Sequence, residues 1–174
     1  MIHYLRREQF IAASPATVWA YFATPKNLNE LTPPSVRFQI IGQVPTTMYA
    51  GQIITYRISP LPGLWLNWIT EISDVQAGLS FVDIQRKGPY KLWHHEHRFV
   101  PEAGGVRMFD EVTYAVGWGP AGWLAEKLWV KRQLKQIFDY RAEQVAKIFP
   151  EKSSAPTRAF TLPSPRRSLA SGEC

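Results

Sequence analysis

The alternation of apolar and polar positions changes period along this chain, and the change marks out its elements. Between residues 36 and 116 apolar and polar side chains alternate in short runs, the period of half-buried strands. Beyond Gly117 apolar residues recur every three or four positions, the period of a helix. Val130, Leu134, Ile137, Phe138, Arg141, Val145 and Ile148 form one stripe on a helix predicted from Trp118 to Phe149, apolar except for Arg141. The predicted strands are Val36 to Gly42, Gln52 to Ser59, Leu64 to Ser73, Leu79 to Arg86, Leu92 to Pro101 and Val106 to Val116. Turn residues stand between them at Pro60 to Gly63, Ala77-Gly78, Gly88-Pro89 and Gly104-Gly105. Connections this short force antiparallel neighbours.

Tyr4 to Ala12 reads as a first strand. Ser14 then supplies an N-cap and Pro15 a first helical position, where its missing N–H costs nothing. Val18, Trp19 and Phe22 share one side of this short helix, which Thr24-Pro25 ends. A second short helix is predicted from Lys26 to Leu31, stopped by Thr32-Pro33-Pro34. A strand, two short helices, six strands and a long helix spell an α+β helix-grip fold: a curved antiparallel sheet of about seven strands wrapped on the C-terminal helix. Such a pairing tends to leave a cavity between sheet and helix.

The 174 residues suit one domain, 1–149, followed by a basic Ser/Pro-rich tail, 150–174, expected to be disordered. The only cysteine is Cys174, so no intrachain disulfide can form. Residues Met1 to Glu8 lack the apolar segment and small-residue cleavage site of a secretory signal, and no stretch approaches the roughly 18 apolar residues of a membrane span. A soluble, cytoplasmic protein is expected. The net charge of +6 is scattered. Four cations in the tail oppose two acids, and Lys127, Lys131, Arg132 and Lys135 make a local patch on the helix. Nucleic acid is therefore not an expected partner, and membrane contact is expected to be peripheral at most.

Three segments carry a family resemblance: Pro33-Pro34-Ser35-Val36-Arg37-Phe38, Phe81-Val82-Asp83-Ile84-Gln85, and Gly88-Pro89-Tyr90-Lys91-Leu92-Trp93-His94-His95-Glu96-His97-Arg98-Phe99. With the order of elements, they resemble the START-like, birch-pollen-allergen-like (SRPBCC) superfamily over residues 3 to 149, in a bacterial group of uncharacterised ligand-binding members. The resemblance implies binding of a hydrophobic small molecule, such as a lipid, an isoprenoid quinone or a polyketide, under the long helix. Some superfamily members are polyketide cyclases, but no shared catalytic motif maps onto this sequence, and fold alone does not make an enzyme.

The sharpest chemical signal lies on the last three strands. Alternation places Phe81, Asp83 and Gln85 on one face, with Trp93, His95, His97 and Phe99, and with Met108, Asp110, Val112 and Tyr114. The turn positions set Gln85 opposite Trp93, Asp83 opposite His95, Phe81 opposite His97, His97 opposite Asp110 and Trp93 opposite Tyr114. A one-residue slip would undo every pair. The aromatic content of this face turns it toward the helix, while Arg86, His94, Glu96, Arg98, Arg107 and Glu111 suit water. His3 is expected at a strand end on the surface. Four readings of the buried polar set are open: a mutually satisfied Asp–His network, orientation of a ligand's polar head, an acid–base pair, or a metal site.

No zinc signature or nearby cysteine is present, so neither metal nor cofactor is assigned. There is no nucleophile elbow, phosphate loop or dinucleotide fingerprint, and the Gly117, Gly119, Gly122 spacing reads as a flexible lead into the helix. The catalytic candidates are His95, His97, Asp83 and Asp110. Trp65, Trp118 and Trp123 join Tyr56, Trp68, Trp93 and Tyr114 as candidates for a pocket wall or rim. The ligand-lining set is Tyr56, Trp68, Phe81, Asp83, Gln85, Trp93, His95, His97, Phe99, Met108, Asp110, Tyr114, Leu134 and Phe138. Enclosing about 300 Å² of apolar ligand at roughly 25 cal/mol/Å² offers about 7 kcal/mol before association costs. The expected function is therefore a carrier or sensor of a hydrophobic ligand. Its rivals are a cyclase- or dehydratase-type enzyme using the Asp–His pair, and a membrane-peripheral or partner-binding module.

Overall fold

The computed structural model describes residues 1–61, 63–117, 119, 122 and 126–150, with the backbone alone at 60 and 61. The expected tail beyond Pro150, together with Trp118 and Trp123, lies outside the described residues. Seven strands form one antiparallel sheet: β1 His3–Ile11, β2 Gln39–Ile41, β3 Gln52–Leu61, β4 Leu64–Gln76, β5 Ser80–Lys87, β6 Tyr90–Glu102 and β7 Gly105–Val116. Their order is β1-β7-β6-β5-β4-β3-β2. The consecutive strands β3 to β7 are neighbours, as their short turns require; β2 pairs with β3 across the longer segment 42–51, and β1 adds itself beside β7. Irregularities in register at Ile58/Leu61, Ile69/Thr70 and Ile72/Asp74 bend β3 and β4.

Because β1 and β2 are the two edges of the sheet, the chain between them must cross from one side to the other. Helical pieces make that crossing: α1, Pro15–Phe22, and 3-10 turns at Pro25–Asn29 and Pro34–Val36. Helix α1 begins as its sequence predicts, with Pro15 in the first turn and the Ser14 hydroxyl accepting from the Thr17 N–H at 3.2 Å. The strand expected from Val36 to Gly42 is reduced to Gln39–Ile41. Pro33 and Pro34 hold a turn whose carbonyls accept from Val36 and Arg37 at 3.0 and 3.1 Å, and Arg37 takes a left-handed φ of 47°. Extended geometry begins only beyond it.

The C-terminal helix opens with a π-helical turn, Glu126–Val130, and continues as α2, Lys131–Ile148. Leu134, Phe138, Arg141 and Val145 are its buried positions, with Ile137 and Ile148 half-buried beside them. Gly122 in the lead to this helix is held by a close approach, since a Cβ there would collide with the Gly117 carbonyl oxygen. Among the described residues no helix is long and apolar enough to cross a membrane.

Two apolar clusters line the space between sheet and helix. One gathers Ile54, Tyr56, Trp68, Trp93, Val112 and Tyr114 against Leu134 and Phe138. The other gathers Ile11, Val18, Phe22, Phe81, Phe99 and Met108 against Val145. The residues between them on each element are polar: His95 and His97 on β6, Asp110 on β7 and Arg141 on α2, all buried.

Phe99 and Phe109 offer a paired test of this packing. Phe99 is 3 % exposed and lies among Trp19, Phe22 and Phe81. Phe109 is on the opposite face under Arg6 and Arg98. Urea unfolding of Phe99→Ala should show a loss of about 3–5 kcal/mol. Phe109→Ala should lose no more than about 1 kcal/mol.

Candidate functional site

The register that orients the polar set is the one the turns predict. Phe81 stands opposite His97 and Asp83 opposite His95. On the other side of β6, Trp93 stands opposite Tyr114, His97 opposite Asp110 and Phe99 opposite Met108. The expected pairing of Gln85 with Trp93 is absent, because the β5–β6 ladder stops at Ile84 and His94. Gln85 instead closes the turn. Its amide nitrogen donates to the Tyr90 carbonyl at 2.6 Å, and its carbonyl oxygen accepts from the Tyr90 N–H at 3.2 Å. Gly88 leaves room for that amide, which a Cβ would overlap.

Two carboxylates and two imidazoles make a closed square. His95 Nδ1 lies 3.1 Å and His97 Nε2 3.3 Å from the same oxygen of Asp83, Oδ2. The opposite ring nitrogens, His95 Nε2 and His97 Nδ1, lie 3.1 and 2.8 Å from one oxygen of Asp110, Oδ1. The ring centroids are 3.8 Å apart. Trp93 Nε1 donates to the second Asp83 oxygen at 3.0 Å. Arg141 Nη1 approaches Asp110 Oδ1 at 3.6 Å, and its guanidinium lies over the Phe138 ring. The imidazoles are fixed by apolar neighbours, His97 stacking on Phe81 at 4.1 Å and His95 meeting Phe138 edge-on at 5.5 Å.

Charge compensation holds this group in a buried band. Burial by itself would raise the carboxyl pKa values, yet the histidine contacts hold Asp83 below the ordinary carboxylate range, and the histidines with Arg141 do the same for Asp110. Burial opposes a charge on His95, but Asp83 and Asp110 outweigh it and its pKa is raised. Each carboxylate is thus faced by histidine ring nitrogens, and Asp110 by the Arg141 guanidinium as well. Burial first, and Asp83 second, raise the Tyr56 phenol above its ordinary value, so it stays protonated and hydrogen-bonded with the Thr70 hydroxyl at 2.6 Å.

A hollow of about 160 Å³ adjoins the square. Of the sequence-derived lining set it is bordered by Tyr56, Trp68, Phe81, Asp83, Trp93, His95, His97, Leu134 and Phe138. The other five stand elsewhere. Gln85 is occupied at the turn, Phe99 and Met108 belong to the second apolar cluster, and Asp110 sits behind the histidines. Tyr114 donates to Glu126 at 3.1 Å. His3, expected on the surface, is half-buried: it stacks on Tyr114 and lies 3.4 Å from Glu126. Trp65 is 36 % exposed, under Arg57 and away from the hollow.

The rest of the lining comes from elements whose sequence carries no chemical signal. Leu28, Leu31 and Val36 come from the crossing segment, Ile54, Ile58 and Ile72 from β3 and β4, and Ile137 and Arg141 from α2. Half-buried Thr24, Asn27, Thr32 and Gln133 form part of the rim. Arg141 alone had a visible mark, as the charged break in an apolar stripe.

No protein-family model matches the sequence, and no curated protein matches it significantly. Solved structures do match the fold. A Streptomyces aromatase/cyclase superposes with a TM-score of 0.61 at 13% identity, covering 84% of this chain and 95% of that one. Norcoclaurine synthase from Thalictrum gives 0.59 at 18% identity, covering 85% and 96%. Ara h 8.0201 gives 0.57 at 12% identity, covering 84% and 99%. The chain shares its helix-grip fold, a curved antiparallel sheet on a C-terminal helix, with these structures.

The buried charges give a stability test. Arg141→Met leaves Asp110 without its helix cation and should cost about 3–5 kcal/mol in chemical denaturation. Combining it with Asp110→Asn should cost clearly less than the sum of the two single changes, because the pair is then removed together.

Proposed function

We infer that this protein binds a small, largely apolar molecule with a polar head in the hollow between sheet and helix, as a carrier or sensor. The observation that carries the reading is the composition of the hollow's wall. It is aliphatic and aromatic around most of its surface, with Asp83, His95, His97 and Arg141 grouped at one place. Few polar groups on an apolar wall are what a pocket needs to orient a guest while drawing its affinity from burial. Trp68, whose indole N–H is buried without a hydrogen-bond partner, also borders the hollow and supplies a donor.

Size selects among the ligand classes. An apolar void of about 150 Å³ accepts a molecule as large as benzene. A hollow of about 160 Å³ is therefore matched to a guest of one or two rings with a polar substituent. A polyketide-derived aromatic suits it better than a long isoprenoid chain, which would require the rim to part. Two of the similar structures are of proteins named for reactions, and acid–base turnover is the second reading for this chain. It is favoured by the contact of Asp83 with His95 on the wall of the hollow.

A two-ring fluorescent probe, 1-aminonaphthalene, tests the binding reading. One molecule should bind per chain with a dissociation constant of about 1–100 μM. Ile137→Trp, which fills the hollow from a half-buried position, should weaken binding at least about tenfold with unchanged circular dichroism. A wild-type chain that never saturates with the probe would defeat the proposal. For the turnover reading, Asp83→Asn should abolish conversion of a cyclisable aromatic substrate while leaving probe affinity within about threefold.

A further inference from the structure

The proton count of the His–Asp square points beyond a hydrogen-bond network. Four ring nitrogens stand 2.8–3.3 Å from carboxylate oxygens. Two neutral imidazoles carry only two N–H groups for these four contacts. Satisfying all four with protons requires two stacked imidazolium rings 3.8 Å apart in the buried band. One contact also fails on geometry: His97 Nδ1 is close to Asp110 but out of line, and is a buried nitrogen without a hydrogen-bond partner.

We propose that Asp83, His95 and His97 form a binding site for one divalent transition-metal ion, backed by Asp110. Asp83 Oδ2, His95 Nδ1 and His97 Nε2 all lie within 4.8 Å of one another. The two nitrogens are 3.1 and 3.3 Å from that oxygen. Ligands about 2.1 Å from an ion stand roughly 3.0 Å apart at right angles and roughly 3.4 Å apart at the tetrahedral angle. The metal takes one nitrogen of each ring, so each ring keeps a single N–H: that of His95 is hydrogen-bonded to Asp110 at 3.1 Å, while His97 Nδ1 stands 2.8 Å from the same oxygen but out of line. That is the carboxylate–histidine–metal arrangement, in which the outer carboxylate sets the tautomer and orients the ring. Trp93 steadies Asp83 in the same way from its free oxygen.

The ligand set of two imidazoles and one carboxylate, without sulfur, suits zinc, iron(II), cobalt or nickel rather than calcium or copper(I). All three ligands border the hollow and Asp110 does not, so the ion's open positions face the guest. The ion and Arg141 together exceed the charge of Asp83 and Asp110 by one unit. That favours a guest bearing an anionic oxygen, such as a phenolate, enolate or carboxylate. The site itself is independent of any organic ligand.

Cobalt(II) titration of the chelator-treated full chain reads the site directly. One equivalent of Co²⁺ should bind below about 10 μM and develop visible d–d absorption bands, with no organic ligand present. Asp83→Asn and His97→Gln should each weaken binding at least about tenfold, and Asp110→Asn should weaken it about 10–100-fold. His94→Asn, at an exposed position on the other face, should leave binding within about twofold, and circular dichroism should confirm that each variant is folded. No saturable binding to the folded wild type, or equal binding by wild type and folded Asp83→Asn, overturns the proposal. Failure of 1-aminonaphthalene to bind while cobalt binds would sink only the small-molecule reading.

Discussion

Charge compensation in a buried band is the constraint on which the rest of this molecule depends. Asp83, His95, His97, Asp110 and Arg141 come from three adjacent strands and the one long helix, and they meet where two apolar clusters stop. An ion removed from water without a partner costs several kcal/mol. Each member is therefore tolerable only while the others are in place. The band consequently fixes more than itself: it sets strand register, because a one-residue slip would send Asp83 and His95 to opposite faces. It also sets helix register, because Arg141 must reach Asp110.

The same constraint explains why the hollow lies where it does. A helix laid on a sheet normally fills the gap with interdigitating side chains. Here the rigid square of His and Asp cannot collapse inward without losing its contacts. The crossing segment from β1 to β2 spans the width of the sheet and contributes Leu28, Leu31 and Val36 to the far wall. On that side the ladders of β3 and β4 are interrupted by irregularities in register. The result is a space of about 160 Å³ with a largely apolar wall and one cluster of charged and imidazole side chains. The proposed binding, acid–base chemistry and metal ligation would all draw on that patch, and they differ in what would occupy the point between Asp83 and the two imidazoles.

Much of this was legible in the chain, for local reasons. Period-two alternation marked the strands, and period-3.6 spacing marked the helix and the face it buries. Short turns dictated antiparallel neighbours, and hence the pairings Asp83–His95 and His97–Asp110. These features depend on residues close in sequence, or on pairing counted outward from a turn. Where local chemistry competed with pairing, the pattern misled. Gln85 matched the strand period but serves the turn, and Val36 matched it but ends a proline-set helical turn.

The sequence by itself determined the elements, their order, the face that turns inward and the residues able to carry chemistry. Only the tertiary structure decided which of those residues share a space. Asp110 stands behind the histidines and Asp83 in front, Arg141 joins them from the C-terminal helix, and the aliphatic wall comes from segments with no chemical signature. The physical reason is distance along the chain. Contacts between remote elements depend on sheet curvature and on how the helix seats, and neither is written in any local run of residues.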